Sequence, residues 1–194
     1  VIPGEATSPA VLAAAWTAQE MMGKTPIHSA DASGFIVNRY FVPWLNEAVR
    51  LLEEGVADIP TIEAAAKSTF GAGMGPFELM NVTGIPIAMH AANTLGQAFG
   101  PFYAPAALLK TQVASGKPWD LSGTPDDGKF EAVAARLLAV VFMVASALVD
   151  DGVGTAEDTD IGARVGLRWP QGPFEMINRF GIKAAGDLVG QFGG

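Results

Sequence analysis

Gly75-Pro76-Phe77-Glu78 recurs as Gly172-Pro173-Phe174-Glu175, an offset of 97 residues. The same offset, with no gap, pairs Arg39 with Arg136, Ala48 with Ala145, Leu51 with Leu148 and Gly55 with Gly152. It also pairs Val56 with Val153, Asn81 with Asn178, Gly84 with Gly181 and Ile85 with Ile182. Chance rarely places so many matches at one spacing, and the period is longer than that of common solenoid repeats. The chain therefore reads as a two-copy duplication. Each unit is a long helix, a glycine stop, a second helix, the Gly-Pro-Phe-Glu turn and a third helix.

The elements around the turn follow from spacing and punctuation. Phe41, Trp44, Leu45, Ala48, Leu51 and Leu52 recur at helical intervals, which predicts one helix from Gly34 to Glu54 ended by Gly55. Pro43 lies inside it and should kink it. Asp58 can cap a second helix running through Ile62 and Ala66 towards Phe70, and Pro76, Pro86 and Pro105 mark further helix starts. Gly116 to Lys129, rich in Gly, Pro, Ser and Asp, reads as a linker, and Lys129 opens a long helix ended by Gly152. Upstream, Ser8 is a candidate N-cap, Pro9 suits the first helical position, and Gly23 suits a left-handed cap. Thr25-Pro26-Ile27-His28-Ser29 reads as an edge strand. A helix and a lone strand cannot make a sheet, so residues 1–30 read as the tail end of an α/β domain.

Composition bounds the function. A chain of 194 residues is long enough to bury about 70% of its unfolded surface without a disulfide or metal staple. Hydrophobic residues make up 49% and charged ones 16%, a globular balance. The formal charge of −8 with no cluster of Lys and Arg argues against nucleic acid or an anionic membrane as partner. The absence of cysteine excludes disulfides and cysteine metal sites. Val1-Ile2-Pro3-Gly4-Glu5 has neither a basic start nor an apolar run, so no signal peptide is expected there. The apolar stretch Leu137 to Val149 would rise only roughly 20 Å as a helix, short of a bilayer core. It reads as a buried core helix in a soluble, cytoplasmic protein with no membrane partner.

Few residues offer chemistry. In Gly-Pro-Phe-Glu, Gly at the N-cap, Pro at the first helical position and Glu near the positive helix end make a sound helix start. The competing reading lets the turn, with Met74 and Pro76, line an apolar acyl pocket. Gly71-Ala72-Gly73-Met74-Gly75 lacks the G-x-G-x-x-G spacing and follows a helix where a strand is required, so it does not read as a nucleotide loop. No metal-ligand spacing appears, and the metal expectation is none. His90 has no acidic neighbour within two helical turns and reads as a structural or surface residue; His28 lies at the end of the remnant strand, near a domain junction. Asn38 is sharper. A buried Asn needs partners for its amide, so a structural hydrogen bond competes with a functional role. Its counterpart in the second copy is Ala135, whereas the neighbouring Arg39 is matched by Arg136. Arg39 thus reads as shared architecture and Asn38 as something particular to the first copy.

Ser33-Gly34-Phe35-Ile36-Val37-Asn38-Arg39, Asn46-Glu47-Ala48, Glu54-Gly55-Val56-Ala57 and Met74-Gly75-Pro76-Phe77-Glu78-Leu79-Met80 together resemble the C-terminal domain of 3-hydroxyacyl-CoA dehydrogenases. The second copy looks like the further such domain of longer, multifunctional fatty-acid oxidation proteins. The resemblance implies a mainly α fold: a duplicated helical domain of the 6-phosphogluconate dehydrogenase C-terminal-like kind, preceded by a helix-strand remnant of an α/β Rossmann domain. The implied boundaries are 1–30 for the remnant, 31–122 for the first helical domain and 123–194 for the second, degenerate copy. The implied reaction oxidises an L-3-hydroxyacyl-CoA to the 3-ketoacyl-CoA with NAD as hydride acceptor, in fatty-acid β-oxidation. By the same resemblance Asn38 is the catalytic candidate that places the substrate oxygen, and Phe35, Met74, Gly75 and Pro76 contact the acyl-CoA. The family's catalytic His–Glu pair and NAD turn match no residue here, so the chain alone is expected to be inactive. Single-copy relatives dimerise through this domain, and the second copy is expected to give a dimer or an internal pseudo-dimer. A non-catalytic helical interaction scaffold, or a fusion to an enoyl-CoA hydratase domain, remains an alternative.

Overall fold

Several helices begin where a proline or a capping side chain permits, and several stop at glycines. The structure, a computed structural model, describes residues 1–192. Its helices are α1 (Pro9–Met21), α2 (Val37–Glu53), α3 (Ile59–Phe70), α4 (Pro76–Thr83), α5 (Ile85–Phe99), α6 (Ala107–Ser115), α7 (Phe130–Asp150), α8 (Ala156–Gly162), α9 (Pro173–Phe180) and α10 (Ile182–Phe192). A π-helical turn, Ala163–Leu167, continues α8. Ser8 caps α1 through the Val11 N–H, and Asp58 caps α3 through the Thr61 N–H. Thr155, 97 residues after Asp58, caps α8 through the Asp158 N–H in the same way.

The duplication is carried into three dimensions. Shifting α2, α3 and α4 by 97 residues brings them onto α7, α8 with its π turn, and α9, and the first residue of α5 onto that of α10. Gly55 and Gly152, which end the long helices, have φ of 70° and 69°. Such left-handed stops cost a glycine little and leave the chain free to reverse.

At the centre α2 packs on α7, and α2 is buried on every side over Val42–Val49. Around them α3, α9 and α10 pack on α7, and α4, α5 and α6 on α2. Two arginines cross between the copies. Arg39 of α2 donates to Asp151 at 2.5 Å. Its counterpart Arg136 of α7 donates to Glu54, the counterpart of Asp151, at 2.9 Å, and to the buried Glu47. This is the reciprocity of a two-fold interface, residue i meeting j′ while i′ meets j. The reading of Arg39 as shared architecture agrees with it.

Trp169 of the second copy inserts into the first, meeting Trp44 edge-on at 5.5 Å and Phe70 at 4.7 Å between ring centres. Aromatic pairs of this geometry add roughly 0.5–1.5 kcal/mol each beyond area burial. The α7 segment, counted with its flanks from Asp127 to Asp150, is long and apolar enough to cross a membrane by length and composition. The shorter apolar stretch read from the sequence understated it. In this fold Val133, Leu137, Val140, Val141, Val144 and Leu148 are buried in the core.

Two expectations need correction. No strand forms among the described residues. Residues 25–29 are extended but have no neighbouring strand to pair with; their ladder is reduced to bonds from Ser29 N–H to the Val1 carbonyl at 3.1 Å and from Val1 nitrogen to the Ile27 carbonyl at 2.5 Å. The helix expected from Gly34 begins instead at Val37, because Gly34 and Phe35 both adopt positive φ, 79° and 48°. Of the stretch 116–129 expected as a linker, residues up to 126 are irregular and Asp127–Lys129 form a 3-10 turn, and the stretch is fastened. Asn81 accepts from Trp119 N–H at 2.8 Å and donates to its carbonyl at 2.9 Å, and Trp119 is buried edge-on against Phe77.

Candidate functional site

The turn into α2 is shaped by two strained residues. Gly34 has no room for a side chain: a Cβ there would meet Leu95 at 2.9 Å and the Arg39 backbone nitrogen at 3.1 Å. Phe35 follows in the left-handed region, uncommon for a bulky residue, with its side chain 42% exposed. No side chain caps the start of α2. Asn38 lies in this first turn, is exposed, and has no hydrogen-bond partner among the described residues. A structural hydrogen bond is therefore not what holds it. With Phe35, Val37, Ile27 and Ser29 it lines a cleft of about 230 Å³. Backbone strain beside an unpartnered amide is the pattern of a site whose cost is met elsewhere in the fold.

Met74 lines a different, larger cleft of about 680 Å³, with Phe41, Trp44 and Leu79 from the first copy and Gly166, Leu167, Arg168 and Trp169 from the second. The two clefts take lining residues from successive turns at the start of α2. Phe41 is three residues beyond Asn38 on α2, so the two share a face. Val37, which lines the smaller cleft, lies against Gly166 of the larger one.

Gly75 and Pro76 reach neither cleft; both are buried. Behind them Glu63 of α3 accepts from Phe77 N–H at 2.6 Å and Glu78 N–H at 3.3 Å, and a Cβ on Gly75 would collide with its carboxylate. In the second copy Asp160 accepts from Phe174 N–H at 2.8 Å and Glu175 N–H at 3.2 Å, with Gly172 pressed against it. Lys67 pairs with Glu78 at 2.5 Å, and its counterpart Arg164 pairs with Glu175. Burial pushes both the Glu63 and the Asp160 carboxyl above the usual carboxylate range, partly offset by the N–H bonds they accept. Gly-Pro-Phe-Glu thus seats a helix N-terminus on a buried acid, twice, and of the Met74-Gly75-Pro76 run only Met74 faces a cleft.

The histidines stand apart. His28 stacks on Trp16 at 5.2 Å, outside the smaller cleft that its neighbours line, and His90 is exposed on α5. Among the described residues no three His, Cys, Asp or Glu side chains are grouped to hold a metal ion. The glycine-rich stretch 71–75 does not offer a dinucleotide a seat. It follows a helix and is backed by the Glu63 carboxylate, which would repel a pyrophosphate. The sequence reading missed Trp169 and Arg168 as cleft residues. Comparing the copies would have raised them, since Ala72 and Gly71 stand at their counterparts.

The sequence profile described as 3-hydroxyacyl-CoA dehydrogenase, C-terminal domain, matches residues 34–124 and 133–192. A 3-hydroxybutyryl-CoA dehydrogenase from Escherichia coli K12 shares the fold with a TM-score of 0.84 at 19% identity, over 96% of this chain and 61% of that one. An (S)-3-hydroxybutyryl-CoA dehydrogenase from Ralstonia eutropha is 32% identical over 64% of this chain and 44% of that one, with a TM-score of 0.59. M. tuberculosis FadB2 is 29% identical over 60% and 42%, with a TM-score of 0.57. The chain thus spans between 42% and 61% of the length of these solved structures.

Proposed function

Because the chain belongs to the C-terminal domain family of the 3-hydroxyacyl-CoA dehydrogenases, we propose that it is the substrate-side portion of an enzyme oxidising L-3-hydroxyacyl-CoA to 3-ketoacyl-CoA in cytoplasmic fatty-acid β-oxidation. The observation that carries this is Asn38: exposed, unpartnered, and set beside the strained Phe35 on the wall of a cleft. Its amide N–H is free to hold the substrate's C3 oxygen, a positioning interaction that strengthens as that oxygen gains carbonyl character. NAD, as hydride acceptor, belongs to residues outside this chain. The His–Glu pair that takes the proton belongs there too.

The crossed arginines support a second element of the proposal, that the two copies stand in for the two subunits of a dimer. Light scattering then gives a species of one chain, and a homodimer through α2 would count against it.

The test is NADH oxidation with acetoacetyl-CoA, by this chain and by the same chain extended upstream through a dinucleotide-binding domain. Activity is expected only in the extended form. There, Asn38→Ala should lower kcat/KM by at least about a hundredfold, the scale of losing an oxyanion-hole donor. A loss under about threefold, below ~0.7 kcal/mol of transition-state stabilisation, would favour a helical scaffold that has kept the fold without the chemistry.

A further inference from the structure

The larger cleft lies where the backbones of the two aligned copies part. Segments 59–75 and 156–172 align without a gap, yet α3 is regular to Phe70 while the second copy switches to a π turn over Ala163–Leu167. At the next position Gly71 takes φ of 60° at no steric cost, and its counterpart Arg168 takes 57° with a full side chain. The position after that is Ala72 in the first copy and the buried Trp169 in the second. The π turn, the left-handed arginine and the inserted tryptophan are consecutive, and all three contribute to the wall of the 680 Å³ cleft. π turns and strained residues persist where they shape a site. Arg168 also has no acidic partner among the described residues.

The opposite wall is apolar: Phe41, Trp44, Met74 and Leu79. A cavity of this size falls in the range that holds a drug-sized ligand, well beyond a four-carbon acyl group. It opens beside Phe41, one turn along α2 from Asn38. We infer that the second copy builds half of an acyl-tail site here, and that Gly166, Leu167 and Trp169 make the protein select acyl groups much longer than four carbons. The inference rests on the acyl-CoA reading above. An acyl group held at its C3 oxygen by Asn38 runs past Phe41 into the cleft, and each methylene beyond the fourth carbon leaves water for the Trp44–Trp169 pair.

The test titrates this chain with butanoyl-CoA and decanoyl-CoA, read by isothermal titration calorimetry. Decanoyl-CoA should bind at least about tenfold tighter, a modest share of what six fully buried methylenes would give. Gly166→Leu should fill the cleft from the second copy: a Cβ there meets only Val37 Cγ2 at 3.9 Å, ordinary contact. The preference for the longer chain should then fall below about threefold. If circular dichroism shows that this variant does not fold, Gly73→Leu is read in the same way, since nothing lies within 4 Å of its Cβ position. Equal affinity for the two ligands, or a preference untouched in a folded filled variant, overturns the inference. Failure of the dehydrogenase reading looks different: decanoyl-CoA still binds, but the upstream-extended protein oxidises NADH with neither acetoacetyl-CoA nor 3-ketodecanoyl-CoA.

Discussion

The guanidinium of Arg39 lies 3.6 Å from the ring centre of Phe99, with Asp151 closing its other side. The arginine is 3% exposed and its acidic partner 53% exposed. One charge is therefore dry and the other half in water, so the aromatic face does part of the work of solvent. Arg39→Ala should destabilise the chain by about 3 kcal/mol, through the lost stacking and the void. Arg39→Met should cost less than ~1.5 kcal/mol, because an apolar chain of similar length fills the space and Asp151 can turn to water. Urea midpoints of the two variants decide. Equal losses would mean that the ion pair, and not the packing, holds the crossing.

Gly75 and Gly172 are bound to their acids by lack of space. Gly75→Ala should cost about 1–3 kcal/mol as its methyl drives Glu63 off the Phe77 and Glu78 N–H groups. Gly172→Ala should cost at least as much, since its methyl meets the Asp160 backbone as well as its side chain. Gly73→Ala, with open space around it, should stay within ~0.5 kcal/mol in the same unfolding measurement.

How far the sequence revealed this arrangement depends on the kind of signal. The 97-residue repeat, the caps Ser8 and Asp58 and the proline-marked starts are local patterns, and the helices follow them. The seating of Gly75 on Glu63 was invisible, because it joins residues twelve apart on different elements with no motif between them. Aligning the copies does place an acid at both 63 and 160, and that would have been the clue. The π turn carries no signature in Ala163–Leu167 and adds no residue to the count. Asn38 was legible as a candidate by its absence from the second copy and by the family motif it matches; the positive φ of Phe35 beside it is something no spacing predicts. The edge strand failed for the opposite reason. A local pattern was present, but the ladder that would make it a strand was not.

Stability should respond to pH through Glu63 and Asp160. Both carboxyls are raised in the folded state by burial, so folding favours their protonated form. Their contribution is present below the unfolded carboxylate range and is lost as pH rises through the raised folded values. Glu54, lowered by its hydrogen bond to Arg136, works the other way and loses its contribution as pH falls. Glu63→Gln/Asp160→Asn should therefore gain stability relative to the parent as pH rises above the usual carboxylate range. Parallel urea curves for the two proteins over that rise would remove the buried acids from the account.

Arg168→Gly should relieve the left-handed strain and stabilise the chain by about 1 kcal/mol, the usual cost of that conformation for a residue with a Cβ. Thermal unfolding of the variant measures it. A loss of stability would show that the arginine side chain contributes contacts worth more than its strain.

Joining the two copies in one polypeptide frees them from a constraint that identical subunits share. Where one gene supplies both faces, every substitution appears twice, and a residue suited to catalysis must also be tolerable at the mirrored position. Here Asn38 faces Ala135 across the alignment, and Gly71 faces Arg168. On the proposed reading, one unit keeps Asn38 for the substrate while the other supplies a wall of the larger cleft. Dilution cannot part them, because the local concentration of each for the other is fixed by the peptide that links them.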